Sequence, residues 1–133
     1  MLSRRLFVAC GLCAVTEFAA TAASAEGVPG GFKRTILQKI DGPAAGYETL
    51  VVLVESDPGF TIAKHTHPGI ESTYVMEGSL VLQVAGQADH TLKQGEAFQV
   101  PPETVHGGLT GPTPIKLLAN YIVEKGKPLA TLV

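Results

Sequence analysis

The 133-residue chain has the length of a single domain. Its 10 basic and 12 acidic residues, a net charge of −2, provide no footprint for nucleic acid and no polybasic patch for anionic lipid. A small molecule is therefore the expected partner, and two cysteines are too few for a disulfide-built scaffold.

Residues 1–25 read as an export signal. Ser3-Arg4-Arg5-Leu6-Phe7 is a basic start, an alanine-rich apolar run follows, and Ala23-Ser24-Ala25 is a small-residue cleavage site. The paired arginines resemble a twin-arginine signal, so a periplasmic or secreted location is expected. The run, interrupted by Glu17, is too short for a transmembrane span. Cys10 and Cys13 have a C-x-x-C spacing that elsewhere would suggest redox or metal chemistry, but both fall inside this segment. Cleavage after Ala25 would leave no cysteine, 8 basic and 11 acidic residues, and a net charge of −3.

Residues 26–31 are Gly/Pro-rich and read as a linker, with the domain proper at 32–133. From there the chain breaks into short strands. Loose alternation predicts an edge strand at 32–40, and the Val/Leu-rich stretch 47–55 a more buried one. Further strands are expected at 60–65, 71–77, 79–85, 88–93, 96–100, 105–109 and 115–124, punctuated by glycine and proline. Residues 125–133 read as a tail along the outside. No stretch beyond the signal shows a useful helical period. About nine short strands at this spacing predict an all-β antiparallel sandwich or barrel.

Two stretches carry the chemistry. His65 and His67 sit one residue apart on a strand and so share a face. Pro68-Gly69 can turn the chain back, which brings the carboxylate of Glu71 toward them. Two imidazoles and a carboxylate converging on a point outline a first-row transition-metal site. The stretch from Gly95 through Pro101 to His106 supplies a third imidazole.

The spacing Gly59-x5-His65-x-His67-x3-Glu71-x6-Gly78 resembles the first motif of the cupin superfamily at every defining position. Gly95-x5-Pro101-x-Glu103-x2-His106 resembles the second, with Glu103 where that motif has a glycine and Thr110 where it often has an asparagine. Sixteen residues separate Gly78 from Gly95, the short spacer of compact single-domain bacterial cupins. The resemblance implies a cupin-type antiparallel β-barrel, a jelly-roll or double-stranded β-helix, with a metal inside its mouth. It also implies His65, His67, Glu71 and His106 as ligands. Three imidazoles and one carboxylate suit a divalent transition metal, Fe, Mn, Ni, Cu or Zn, with no thiolate to favour a softer ion.

Other polar residues read more plainly. Phe98, Tyr121 and Asn120 are candidates to line the cavity, although only one of the adjacent pair Asn120 and Tyr121 can face inward. Tyr74 differs in parity from Glu71 and should face away from the metal. His90, Lys64 and Lys116 read as solvated, and Glu103 as an exposed loop carboxylate near the mouth. The leading functional expectation is a metal-dependent enzyme acting on a small organic molecule, with dioxygenase-like oxidation as its first form. Alternatives are a non-catalytic periplasmic binding cupin and a cupin lyase or isomerase. A homodimer is also expected, since in related barrels the first strand often crosses to a partner, and 32–40 could do so.

Overall fold

The computed structural model describes Ala25–Val28 and residues 31–133. The expected export segment, with Cys10 and Cys13, therefore lies outside the described residues except for Ala25. Eleven strands run in chain order: β1 (Ala25–Val28), β2 (Phe32–Asp41), β3 (Tyr47–Ser56), β4 (Thr61–Thr66), β5 (Gly69–Glu77), β6 (Ser79–Val84), β7 (His90–Lys93), β8 (Ala97–Val100), β9 (His106–Thr110), β10 (Ile115–Glu124) and β11 (Thr131–Leu132). The described residues contain no helix.

Two antiparallel sheets face each other. One has six strands in the order β1-β2-β3-β10-β5-β8, and the other has five in the order β11-β4-β9-β6-β7. Strict alternation explains the core. Leu50, Val52 and Val54 of β3 point inward with Ile115, Leu117, Ala119, Tyr121 and Val123 of β10. Leu80 and Leu82 of β6 and Leu92 of β7 meet them from the opposite sheet. On β5 the inward row is Glu71, Thr73 and Val75. Two polar residues at buried positions mark where the hydrophobic core gives way to a site.

Two expectations need correction. The stretch read as a linker carries β1, whose residues Ala25–Val28 pair with Thr35 back to Phe32. As a result β2 is an edge strand only over residues 36–41: β1 covers 32–35, and β3 of the same chain pairs with its other side from Phe32 to Asp41. The composition of Glu26-Gly27-Val28 favours a loop, but the backbone pairs through register with its neighbour. The tail behaves as expected in lying along the outside, and it adds β11, which pairs with Thr66 and His65 of β4.

Thr110 holds one end of the barrel. It is buried, and its hydroxyl donates to the Asp57 carbonyl (2.8 Å) while accepting from the Phe60 amide (2.7 Å). The side chain thus clamps the β3–β4 turn through a donor and an acceptor at once, so the departure from asparagine leaves a structural role filled. On the outside of the six-stranded sheet, Ile70, Tyr74 and Met76 of β5 and Leu118 of β10 are exposed. Tyr74 faces away from the site, as its parity requires.

Candidate metal centre

The site forms where β4 and β9 of one sheet face β5 and β10 of the other. His65 pairs in register with His106 across β4–β9, and Glu71 pairs with Tyr121 across β5–β10. All four expected ligand residues are buried: His65, His67, Glu71 and His106 keep 5, 2, 6 and 4 % of their surface exposed. The chain passes from His67 to Glu71 through Gly69, where an added Cβ would lie 1.9 Å from the Ile122 carbonyl oxygen. Only a glycine lets β5 begin this close to β10, and that approach aims Glu71 at the histidines.

Each imidazole is oriented through its Nδ1. His65 Nδ1 bonds the Ala63 carbonyl (2.8 Å), His67 Nδ1 the Leu129 carbonyl (2.5 Å) and His106 Nδ1 the Thr104 carbonyl (2.9 Å). A carbonyl only accepts, so each Nδ1 carries a proton and each Nε2 is turned inward. The three ring centroids lie 4.3 to 5.0 Å apart. Glu71 Oε2 lies 3.0 Å from His106 Nε2 and 3.1 Å from His67 Nε2. The other carboxylate oxygen, Oε1, accepts a 2.6 Å hydrogen bond from the Thr73 hydroxyl.

These distances set acceptors against acceptors. His67 Nε2 is buried and, despite its 3.1 Å approach to Glu71, lies off the line a hydrogen bond needs, so among the described residues it has no partner. Both ring nitrogens of His106 face acceptors, an arrangement satisfied by imidazolium or by a cation at Nε2. The donor set therefore fits a metal ion, and His65, His67 and His106 group their ligand atoms within 4.8 Å of one another.

The electrostatics agree. Burial drops the His65 pKa to about 4, with the bond to Ala63 opposing and the neighbouring His106 and His67 adding to the fall. Burial alone would raise Glu71, yet its close neighbours His106, His67 and Thr73 hold its carboxyl well below the usual range. For His106 burial works downward, but the bond to Glu71 outweighs it and the pKa is raised. Glu71 is thus a fixed negative charge and His65 a neutral donor at physiological pH, the states a metal ligand requires.

Of the cavity candidates, Tyr121 is the inward member of its pair. It is buried against His67, their rings 4.8 Å apart, and its hydroxyl lies beside Glu71 and Arg34. Burial first, and Glu71 second, push the tyrosine pKa upward, so the phenol keeps its proton. Phe98 lines a small void of about 30 Å³ next to His65, Glu71 and His106. Asn120 does not reach the interior: as the odd-parity neighbour of Tyr121 it is exposed and lines an open groove of about 620 Å³ on the outer face. His90 and Lys64 are exposed, and Lys116 pairs with Glu77 at the surface (3.2 Å). Glu103 is exposed with φ of 55°, and its amide donates to the His67 carbonyl (3.0 Å).

Sequence reasoning missed Thr73, Arg34 and the Leu129 carbonyl. Thr73 shares the parity of Glu71 and was findable on that ground. Arg34 shares the parity of buried Phe32 on β2, but an arginine in a loosely alternating strand reads as its solvent face.

The profile of the cupin domain matches residues 52–121, more than half of the chain, and the protein belongs to the cupin family. Among solved structures it is similar to an RmlC-like cupin from Shewanella frigidimarina, with 26 % identity and a TM-score of 0.62 over 79 % of this chain and 87 % of that one. The polyketide cyclase RemF from Streptomyces resistomycificus matches at 23 % identity and TM-score 0.63, covering 99 % and 86 %. The DMSP lyase DddQ from Ruegeria pomeroyi matches at 20 % and 0.66, covering 77 % of this chain and 52 % of that one. At these identities the cyclase and the lyase speak to the fold alone. No curated protein matches the sequence.

Proposed function

We propose that the protein is a metal-dependent cupin enzyme acting on a small organic molecule, with a divalent first-row transition metal held by His65, His67, Glu71 and His106. The observation that carries the reading is the set of three inward Nε2 atoms grouped beside a buried carboxylate, with His67 Nε2 unpartnered among the described residues. A bound ion would supply Lewis acidity and open positions for substrate, water or dioxygen. The chain's own contribution is orientation and exclusion of water. Three backbone carbonyls fix the imidazoles, Thr73 fixes Glu71, and Phe98 with the aliphatic wall narrows the space beside them. Within this class, oxygen-dependent oxidation of the dioxygenase type is the first reaction to test. The fold itself hosts many chemistries and does not choose among them.

The resemblance of residues 1–25 to a twin-arginine signal supports a periplasmic or secreted location, and recovery only from the cytoplasmic fraction would contradict it. The exposed row of Ile70, Tyr74, Met76 and Leu118 supports a homodimer formed through the outer face of the six-stranded sheet.

The decisive experiment is elemental analysis of protein purified from the periplasmic fraction, beside His106→Ala, followed by oxygen uptake on the loaded enzyme. Near-stoichiometric iron, manganese, nickel or copper that is lost in the variant is the expected result. Loss of turnover without oxygen would support oxidation, and full anaerobic turnover would move the assignment to a lyase or isomerase. A wild type with no metal would overturn the enzyme reading and favour a ligand-binding cupin.

A further inference from the structure

Arg34 differs from the lysines of the described residues in facing the interior. Lys39, Lys116, Lys125 and Lys127 form surface ion pairs with Glu48, Glu77, Asp41 and Glu124. Arg34 is in none of these. It is half-buried, points inward with Phe32, and lines the void it shares with His65, Glu71 and His106. No lysine or other arginine lines that void, whose remaining wall is apolar, with Val54, Ile62, Leu82, Phe98 and Leu117 among its residues. Among the described residues, the buried Arg34 Nε has no hydrogen-bond partner.

The guanidinium packs on Phe32 and lies beside the Tyr121 hydroxyl. Its carbon sits 4.8 Å above the Phe32 ring, which in turn stacks on Phe60 at 5.4 Å. A guanidinium cannot shed its proton, so a buried unsatisfied Nε–H has to be met by an acceptor rather than by neutralisation. Its planar fork matches a carboxylate in shape and charge. The void of about 30 Å³ is of the order of one water molecule's share of liquid volume. Only the acceptor end of a ligand could enter it, with the rest of the molecule outside, and the apolar part of its wall offers nothing to a second polar group.

We propose that Arg34 is the anion-recognition residue of this site and that the substrate is a short-chain carboxylate, its carboxyl group taken by the guanidinium fork. This assignment rests on the reading of the histidine cluster as an enzyme's metal centre, and it names the substrate class that reading leaves open.

The test uses the full-length ¹⁵N-labelled protein, once stripped with chelator and once loaded with zinc, titrated with acetate at constant ionic strength. The chain has three arginines, Arg4, Arg5 and Arg34, so the Arg34 Nε–H signal is assigned by its loss in Arg34→Gln. A saturable shift of that signal with acetate is expected, and none with acetamide, the uncharged counterpart. By calorimetry Arg34→Gln should bind acetate about 10- to 100-fold more weakly, the order expected for hydrogen bonds to a charged group. Arg34→Lys should fall between, keeping the charge without the fork. Zinc content should be the same in all three proteins. An unmoved signal, or acetate affinity unchanged in Arg34→Gln, would overturn the proposal and leave Arg34 as a packing partner of Phe32. Failure of the wild type to hold zinc would sink the metal reading instead. The acetate result in stripped protein would still decide the role of Arg34.

Discussion

Glu103 is the one non-glycine residue with positive φ among the described residues, and it occupies the place where the second cupin motif carries glycine. A left-handed backbone costs an L-residue about 1–2 kcal/mol, partly offset by the larger unfolded-state entropy of glycine. Glu103→Gly should therefore stabilise the protein by about 0.5–1 kcal/mol, read as a raised urea midpoint at unchanged slope. A lower midpoint would mean that the exposed carboxylate contributes more than the backbone strain removes. The same scale shows what was legible in the sequence. His65, His67 and Glu71 were readable because strand parity and one Pro-Gly turn fix their convergence. Arg34 was not, since only the register of β2 against β3 tells which side of a polar, loosely alternating strand is the inside.

At the scale of elements, the long strands were legible from alternation, and β3, β5 and β10 fall where that pattern places them within a residue or two. The short β1 and β11 were not, because neither has a composition that demands a strand; both exist through pairing with a neighbour. β11 nevertheless bears on the site. The tail leading into it presents the Leu129 carbonyl that fixes the His67 tautomer. Truncation after Pro128 removes this carbonyl and the exposed two-residue edge strand β11, leaving the other four strands of its sheet and the whole six-stranded sheet. Zinc affinity, measured by chelator competition, should drop by about 10- to 100-fold with little change in the far-UV spectrum. Unchanged affinity would show that His67 is oriented by packing against Tyr121 alone.

For the whole molecule, the closed interior contrasts with one open face. Ile70, Tyr74, Met76 and Leu118 leave an exposed apolar band beside the 620 Å³ groove on the six-stranded sheet, and a two-fold contact between like faces would cover it. Sedimentation at micromolar concentration should give a dimer, and Leu118→Glu should give a monomer that still binds metal. A monomeric wild type would contradict this arrangement. The strand exchange expected from the sequence is not needed to complete the sheet, since β2 pairs with β3 of its own chain.

The bond between His67 and Leu129 spans 62 residues of chain. During synthesis all four residues of the histidine and glutamate cluster leave the ribosome before the carbonyl that sets the second imidazole. The second imidazole therefore takes its final orientation only once the tail has docked, and a donor set complete in sequence is not yet complete in geometry.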